Sequence, residues 1–552
     1  MIAVAVDDSE KAAASEFFEL CKVPWEFFVA GKPYSIVLST GTHPPVISTD
    51  LLLVYSGTPL PFDKTFDTIA HSSGEAVSAR SGSNELWIYG NSLTFEGATE
   101  SLLVAGTRGL PMILARRTND ATVVRIGYDL FREVAHLLSH GQPASNASVP
   151  TLEGHIHVLR EIVARSGAAL VEITPRPAGA EFICCLTHDV DHPILRNHWM
   201  DHTMAGFLKR ASIGTIFDFL KGRRTLKEMA RNLGAVAQLP LLHLGLSEDH
   251  WSNFDRYLDL EPGGRSTFFM VPIPNEPGHR SGGSAPMIRG CKYSLEELKA
   301  QIGRIASRGG EIGLHGIDSW RCEGDGRRER AILTRTLGSR EIGVRMHWLY
   351  YDQNSPAALD QAGFTYDSSV GYNETIGFKA GTTQVFKPLS AANLLELPLN
   401  IMDTALFYPS YLNLCPHDAQ HRINSLIDET NRYGGVLTIN WHDRSIFPER
   451  LWEPPYRTLL AEMKARGAWF ATASMSVGWF RKRRSARIQV KQVGTKELKI
   501  SCQLEAKDTL PGLRLRLHHP RRRQNAQVLS DESESRFIDF PFNTTTELKV
   551  AI

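Results

Sequence analysis

The chain has 552 residues, 42% hydrophobic and 22% charged, the balance of a soluble globular protein with room for three or four units of domain size. Its 61 basic side chains nearly cancel 60 acidic ones, which argues against a polyanion-coating protein and predicts no nucleic-acid partner. Seven cysteines (Cys21, Cys184, Cys185, Cys291, Cys322, Cys415 and Cys502) are scattered, odd in number and without a CxxC pair, so free thiols in a reducing compartment are expected rather than disulfides or a cysteine zinc site.

In chain order, MIAVAVDDSEKAAASEFFELCK has early acids and no basic stretch before an apolar core, so it does not read as a signal peptide. No run of about 18 apolar residues follows anywhere, so the expectation is a cytoplasmic protein without a membrane span. From Trp25 to about Gly141, short β-like runs (YSIVLST, LLLVYSG, NELWIYG) alternate with helical stretches, which predicts a small α/β accessory domain over 1–150. Pro143 to Val149 reads as a linker, and LEGHIHVLREIVARSG after it has helical spacing.

The stretch 151–481 alternates apolar strand runs with amphipathic helices: FICCLTHDVD, STFFMVP, EIGLHG, GVRMHW, LLELPLNIM, VLTINWHD and WFATASM, with a helical insertion from about Ala205 to Leu258. This predicts an α/β fold, a mostly parallel sheet or barrel covered by helices, with its chemistry at the carboxyl ends of the strands. GFKAGTT reads as a rim loop, and the basic run Arg481 to Arg487 as a solvated linker, a reading extended to Arg521 to Arg523 in the tail. A small β-rich domain is expected over 482–552.

The polar residues at the strand ends carry the chemistry. Asp189 and Asp191 are two apart, so an extended strand points both to one face, where one carboxylate can bind a metal and the other take a proton. His315 closes EIGLHG, and Arg345 and His347 share a face of GVRMHW, where a guanidinium can hold a carboxylate ionised. His442, beside Asp443, ends VLTINWHD and suits a general acid. Asp403 is a weaker candidate at another strand end. Trp348, Tyr350, Tyr351 and Tyr372 fit either sugar stacking or core packing.

In order and spacing these pieces resemble the polysaccharide deacetylase superfamily, the family 4 carbohydrate esterases with their nodulation-factor deacetylase module. Thr187 to Asp191 resembles the family's TFDDG motif, His315 to Ser319 its H-[ST]-x-x-H metal motif, Arg345 to Trp348 its R-x-P-[YW] motif, and Ile439 to Asp443 its closing LLHD-type motif. The resemblance covers roughly 300 residues and implies a distorted (β/α)7-type barrel. It also implies removal of acetyl groups from an N-acetylated glycan or its sugar precursor, assisted by a divalent metal, zinc. By this match Asp189 is the base and Asp191 a ligand with His315, while His442, tuned by Asp443, is the acid.

Two departures stand out. Ser319 replaces the second metal histidine and His347 the proline, so His347 or Asp318 is expected to complete the ligand set. A metal-independent amidohydrolase on a non-sugar amide and a degenerate glycan-binding module are the competing readings. Oligomeric state is not legible.

Overall fold

The computed structural model describes residues 1–40, 49–66, 68–98, 102–106, 108–117, 121–252, 254–493, 497–505, 508–519 and 537–551. Arg521 to Arg523 lie outside the described residues. At the centre is a parallel sheet whose strands are β1 (Phe182–Val190), β2 (Thr267–Met270), β3 (Glu311–Gly316), β4 (Val344–Met346), β5 (Tyr366–Asp367), β6 (Leu395–Glu396), β7 (Ile401–Met402), β8 (Val436–Asn440) and β9 (Ala468–Ala471). Their spatial order is β6-β5-β4-β3-β2-β1-β8-β7, with β9 beside the first half of β1. The two edge strands belong to one segment. Leu397 N donates to Asp367 O beyond β6, and Asn400 N donates to Thr438 O before β7, which curls the sheet round toward its own far edge.

All nine residues of β1 are buried, as an apolar strand covered on both faces must be. Period two then sorts them. Phe182, Cys184 and Leu186 join the layer under the covering helices, while Ile183 and Cys185 join the inner one. Thr187 and Asp189 follow the inner set, where both accept from Arg345 Nη1. The interior is tight: a Cβ on Gly313 would fall 2.6 Å from the Phe269 ring. The mixed α/β fold with a helix-covered parallel sheet is therefore the one observed.

Before it, six strands in the order Ile113–Arg117, Thr122–Ile126, Leu51–Tyr55, Ile36–Thr40, Ile2–Ala5, Trp25–Phe27 make a second sheet, parallel except at its first pair. A strand and a helix stand before Trp25, where the reading of strands in the sequence begins: Ile2–Ala5 pairs on both sides, and helix Lys11–Cys21 buries Phe17 and Phe18. After the central sheet come two three-stranded antiparallel sheets. One of them takes Leu170–Ile173, from before β1, as the partner of Leu513–His518.

Three loop readings need correction. Pro143 to Val149 is no free linker: Phe378 N donates to Ala147 O, and the Gln142 amide donates to Asn146, Val149 and Phe378 carbonyls. GFKAGTT is no rim loop, because Thr383 O accepts from Val436 N at the amino end of β8, away from the strand ends that carry the acids and histidines. The basic run is no solvated linker either. Lys482 and Arg483 lie buried in helix Ala473–Ser485.

Candidate active site

The carboxyl ends of β1, β3, β4, β7 and β8 meet at a cavity of about 480 Å³ lined by Asp189, Asp191, His315, His347 and His442, among others. Asp189 is held from two sides: Arg345 Nη1 donates to Oδ1 at 2.9 Å and Asn440 Nδ2 to Oδ2 at 2.8 Å. Burial would push this carboxyl up, but the Arg345 guanidinium, with His315 and His442, holds it below the usual range. Arg345 is itself fixed by the Ser368 carbonyl and hydroxyl and lies 4.5 Å from the centre of the Phe269 ring. Ser368 carries no motif signal, and Asn440, inside the closing motif, is given no role by it. Only the pairing of β8 with β1, which sets Asn440 opposite Thr187, brings the amide to the acid.

Asp191, His315 and His347 form a set whose ligand atoms lie within 4.8 Å of one another. His315 Nδ1 faces the Arg345 carbonyl at 3.0 Å and His347 Nε2 the Arg289 carbonyl at 3.1 Å. A carbonyl can only accept, so each neutral imidazole keeps its proton there and turns a lone pair inward. Those inward atoms, His315 Nε2 and His347 Nδ1, are 3.0 Å apart, and Asp191 Oδ1 stands 3.4 and 3.3 Å from them. Two lone pairs and a buried carboxylate oxygen with no hydrogen-bond partner repel unless a cation lies between them. The spacing matches the roughly 3.3 Å between ligand atoms about 2.05 Å from a tetrahedral ion. Burial pushes His347 down to about 4, which favours the neutral form that a ligand needs. The residues present therefore fit a divalent metal.

His347 thus stands where a second imidazole is wanted, while Ser319 is tied to Glu329 at 2.6 Å. Asp318 is not in the set: its two oxygens accept from the backbone and ring nitrogens of His279, each at 2.7 Å. The turn carrying His347 is strained, with positive φ at Trp348 (59°) and Leu349 (53°). Fully buried Arg289, which no sequence signal marks, holds it by donating to the His347 and Ile317 carbonyls.

His442 meets Asp403, not Asp443. Its Nδ1 is 2.6 Å from Asp403 Oδ1, and its backbone N–H donates to Oδ2 at 2.8 Å. Burial would lower the imidazole, but the Asp403 carboxylate outweighs it and raises the group to about 10. Its other nitrogen, Nε2, stands 3.9 Å from Asp191 Oδ2. Asp443 turns the other way and accepts from the His192 N–H at 3.0 Å, so the expected tuning of His442 by Asp443 gives way to tuning by Asp403. Burial raises Asp443 itself to about 6.

Of the aromatic candidates, Trp348 and Tyr350 line the cavity, Trp348 38% exposed, whereas Tyr372 is a core residue donating to Gln142 O. Tyr408 and Tyr411 add two rings that the sequence reading omitted.

No protein-family model matches the chain, and no curated protein does. Among solved structures the chain is similar to a protein of Mycobacterium smegmatis assigned as a polysaccharide deacetylase, at 19% identity over 59% of this chain and 100% of that one, with a TM-score of 0.32. It is similar to the allantoinase Puue at 15% identity over 56% and 92% of the two chains, with a TM-score of 0.32. A probable polysaccharide deacetylase of Pseudomonas aeruginosa PAO1 is 14% identical over 58% and 97%, with a TM-score of 0.33.

Proposed function

We propose that the protein is a metal-assisted amidohydrolase that removes acetyl groups from an N-acetylated sugar. The observation that carries this reading is a carboxylate, Asp189, held by Arg345 and Asn440, and an imidazole, His442, held by Asp403, facing one metal-ligand set across a single cavity. Hydrolysis of an amide needs a base for the water and an acid for the amine, in opposite protonation states at one pH.

A divalent ion among Asp191, His315 and His347 would supply positive charge to polarise the acetamide carbonyl and lower the pKa of a water beside it. Asp189, kept anionic by Arg345 and Asn440, takes the proton from that water. His442, kept cationic by Asp403, gives its proton to the departing amine. Trp348, Tyr408 and Tyr411 offer rings against which a sugar can lie, which supports a carbohydrate over a small acyclic amide.

The test is metal content beside acetate release from N-acetylated oligosaccharides, before and after chelation. The expected result is one equivalent of a divalent metal and chelator-sensitive acetate release. Release that persists without metal would favour a metal-independent amidohydrolase, and a chain with neither would favour a glycan-binding module.

A further inference from the structure

The helical insertion between β1 and β2 carries an apolar stripe that faces solvent. Ile213, Ile216, Phe217 and Leu220 recur at i, i+3, i+4 and i+7, the spacing that a helix ordinarily turns toward its core. Here these side chains are 60%, 44%, 59% and 73% exposed, and Leu226, past the next turn, is 63% exposed. Inward packing is done by another set, Met204, Phe207 and Ala211, against Leu242 and Trp251. The helices therefore have two apolar faces and only one covered. Trp199 and Met200, 67% and 86% exposed, stand just before these helices, next to His202, which lines the cavity, and Trp199 meets His243 of the same insertion edge to face.

Charge decides what covers it. In a chain that is otherwise balanced, residues 199–227 hold six lysines and arginines against two acids, Asp201 and Asp218. Both acids are engaged, Asp201 with Lys292 at 2.9 Å and Asp218 with Arg224 at 3.4 Å. Lys209, Lys221 and Lys227 are left exposed beside the apolar stripe. The core of a protein–protein interface is poor in lysine. A helix lying in a bilayer surface favours this mixture, with apolar side chains among the acyl chains and lysine stems reaching up to anionic headgroups. No helix among the described residues is long and apolar enough to cross a membrane.

We propose that residues 199–227 are an interfacial anchor that seats the protein on an anionic bilayer surface, with the cavity mouth beside it. The anchoring stands independently of the hydrolase reading.

Co-sedimentation of the full chain with phosphatidylcholine vesicles, with and without phosphatidylglycerol, tests it. Binding is expected to the mixed vesicles only and to weaken with salt. The triple variant Ile216→Asp, Phe217→Asp, Leu220→Asp should partition about 100-fold less, with an unchanged melting curve. Should that variant fail to fold, the milder pair Phe217→Ala, Leu220→Ala should still weaken binding about tenfold. An intact chain that stays in the supernatant with both vesicle types overturns the anchor, as does equal binding by folded variants. A dimer in sedimentation velocity that the same substitutions dissolve would assign the stripe to a second copy and overturn it too.

Discussion

Asp403 stands to His442 as Arg345 stands to Asp189: a buried charge at hydrogen-bond distance that fixes the protonation state of a group facing the cavity. Burial alone lowers an imidazole, and Asp403 is the foremost of the carboxylates that raise His442 to about 10, ahead of Asp191 and Asp189, so Asp403→Asn removes most of what keeps it protonated. The sign follows. With Asp403 the acid keeps its proton across neutral pH, whereas in the variant the protonated fraction falls as pH rises through the ordinary histidine range or below it. Amide turnover at pH 8 should drop about 10²-fold, with the high-pH limb of the rate profile moved to lower pH. An activated acetyl ester, whose leaving group needs no proton, should lose far less. Equal losses on both substrates at every pH would reduce Asp403 to a structural part. Residues such as Asp189, His315 and His347 are legible in the sequence because strand-end positions follow from apolar runs. The Asp403–His442 contact is not, since its partners stand 39 residues apart, just past the ends of two different strands, and no spacing rule joins them.

At the scale of elements, the strands and helices of 151–481 are legible from their apolar runs, but the opening of the chain is not. IAVA is four residues long, and only its pairing with Trp25–Phe27 and Ile36–Thr40 makes it a strand. A similar tertiary demand falls on Glu133, in the first turn of helix Leu130–Ser139, whose carboxylate accepts from the Tyr89 and Gly90 N–H groups at 2.7 Å each. Burial still pushes this carboxyl from 4.5 up to about 7. Between those values the folded chain holds a proton that the unfolded chain releases, so this group's contribution to stability falls as pH rises through the window. The effect is at most about 3 kcal/mol. In urea unfolding, Glu133→Gln should gain stability relative to the unchanged chain from pH 5 to pH 8. Parallel curves would show that Glu133 keeps its ordinary titration.

At the scale of the whole molecule, the basic run after the central sheet carries the largest misreading. Taken alone, consecutive positive charges look solvated, because nothing nearby in sequence can neutralise them. Their partners are remote. Arg484 pairs with Glu16 at 2.7 and 2.8 Å, and Lys482 with Asp508 and Asn543 at 2.7 Å each. Fully buried Arg483 reaches three parts of the chain at once. It donates to the Glu19 and Leu20 carbonyls at the end of the first helix, to Ile173 O in the C-terminal sheet, and to Gln384 beside the central one. A guanidinium has five donors in a rigid fork, and no other side chain can serve carbonyls from so many directions. Arg483→Met keeps the apolar bulk but strands those buried carbonyls, at a cost of about 3–5 kcal/mol, most of it falling on the seam between the first sheet and the rest. Calorimetry of the unchanged chain should give one cooperative transition. The variant should give two, and amides of Ile2–Ala5 and Lys11–Cys21 should exchange with solvent at the lower one. A single transition at the original midpoint would mean that the sheets are joined without Arg483, by apolar packing alone.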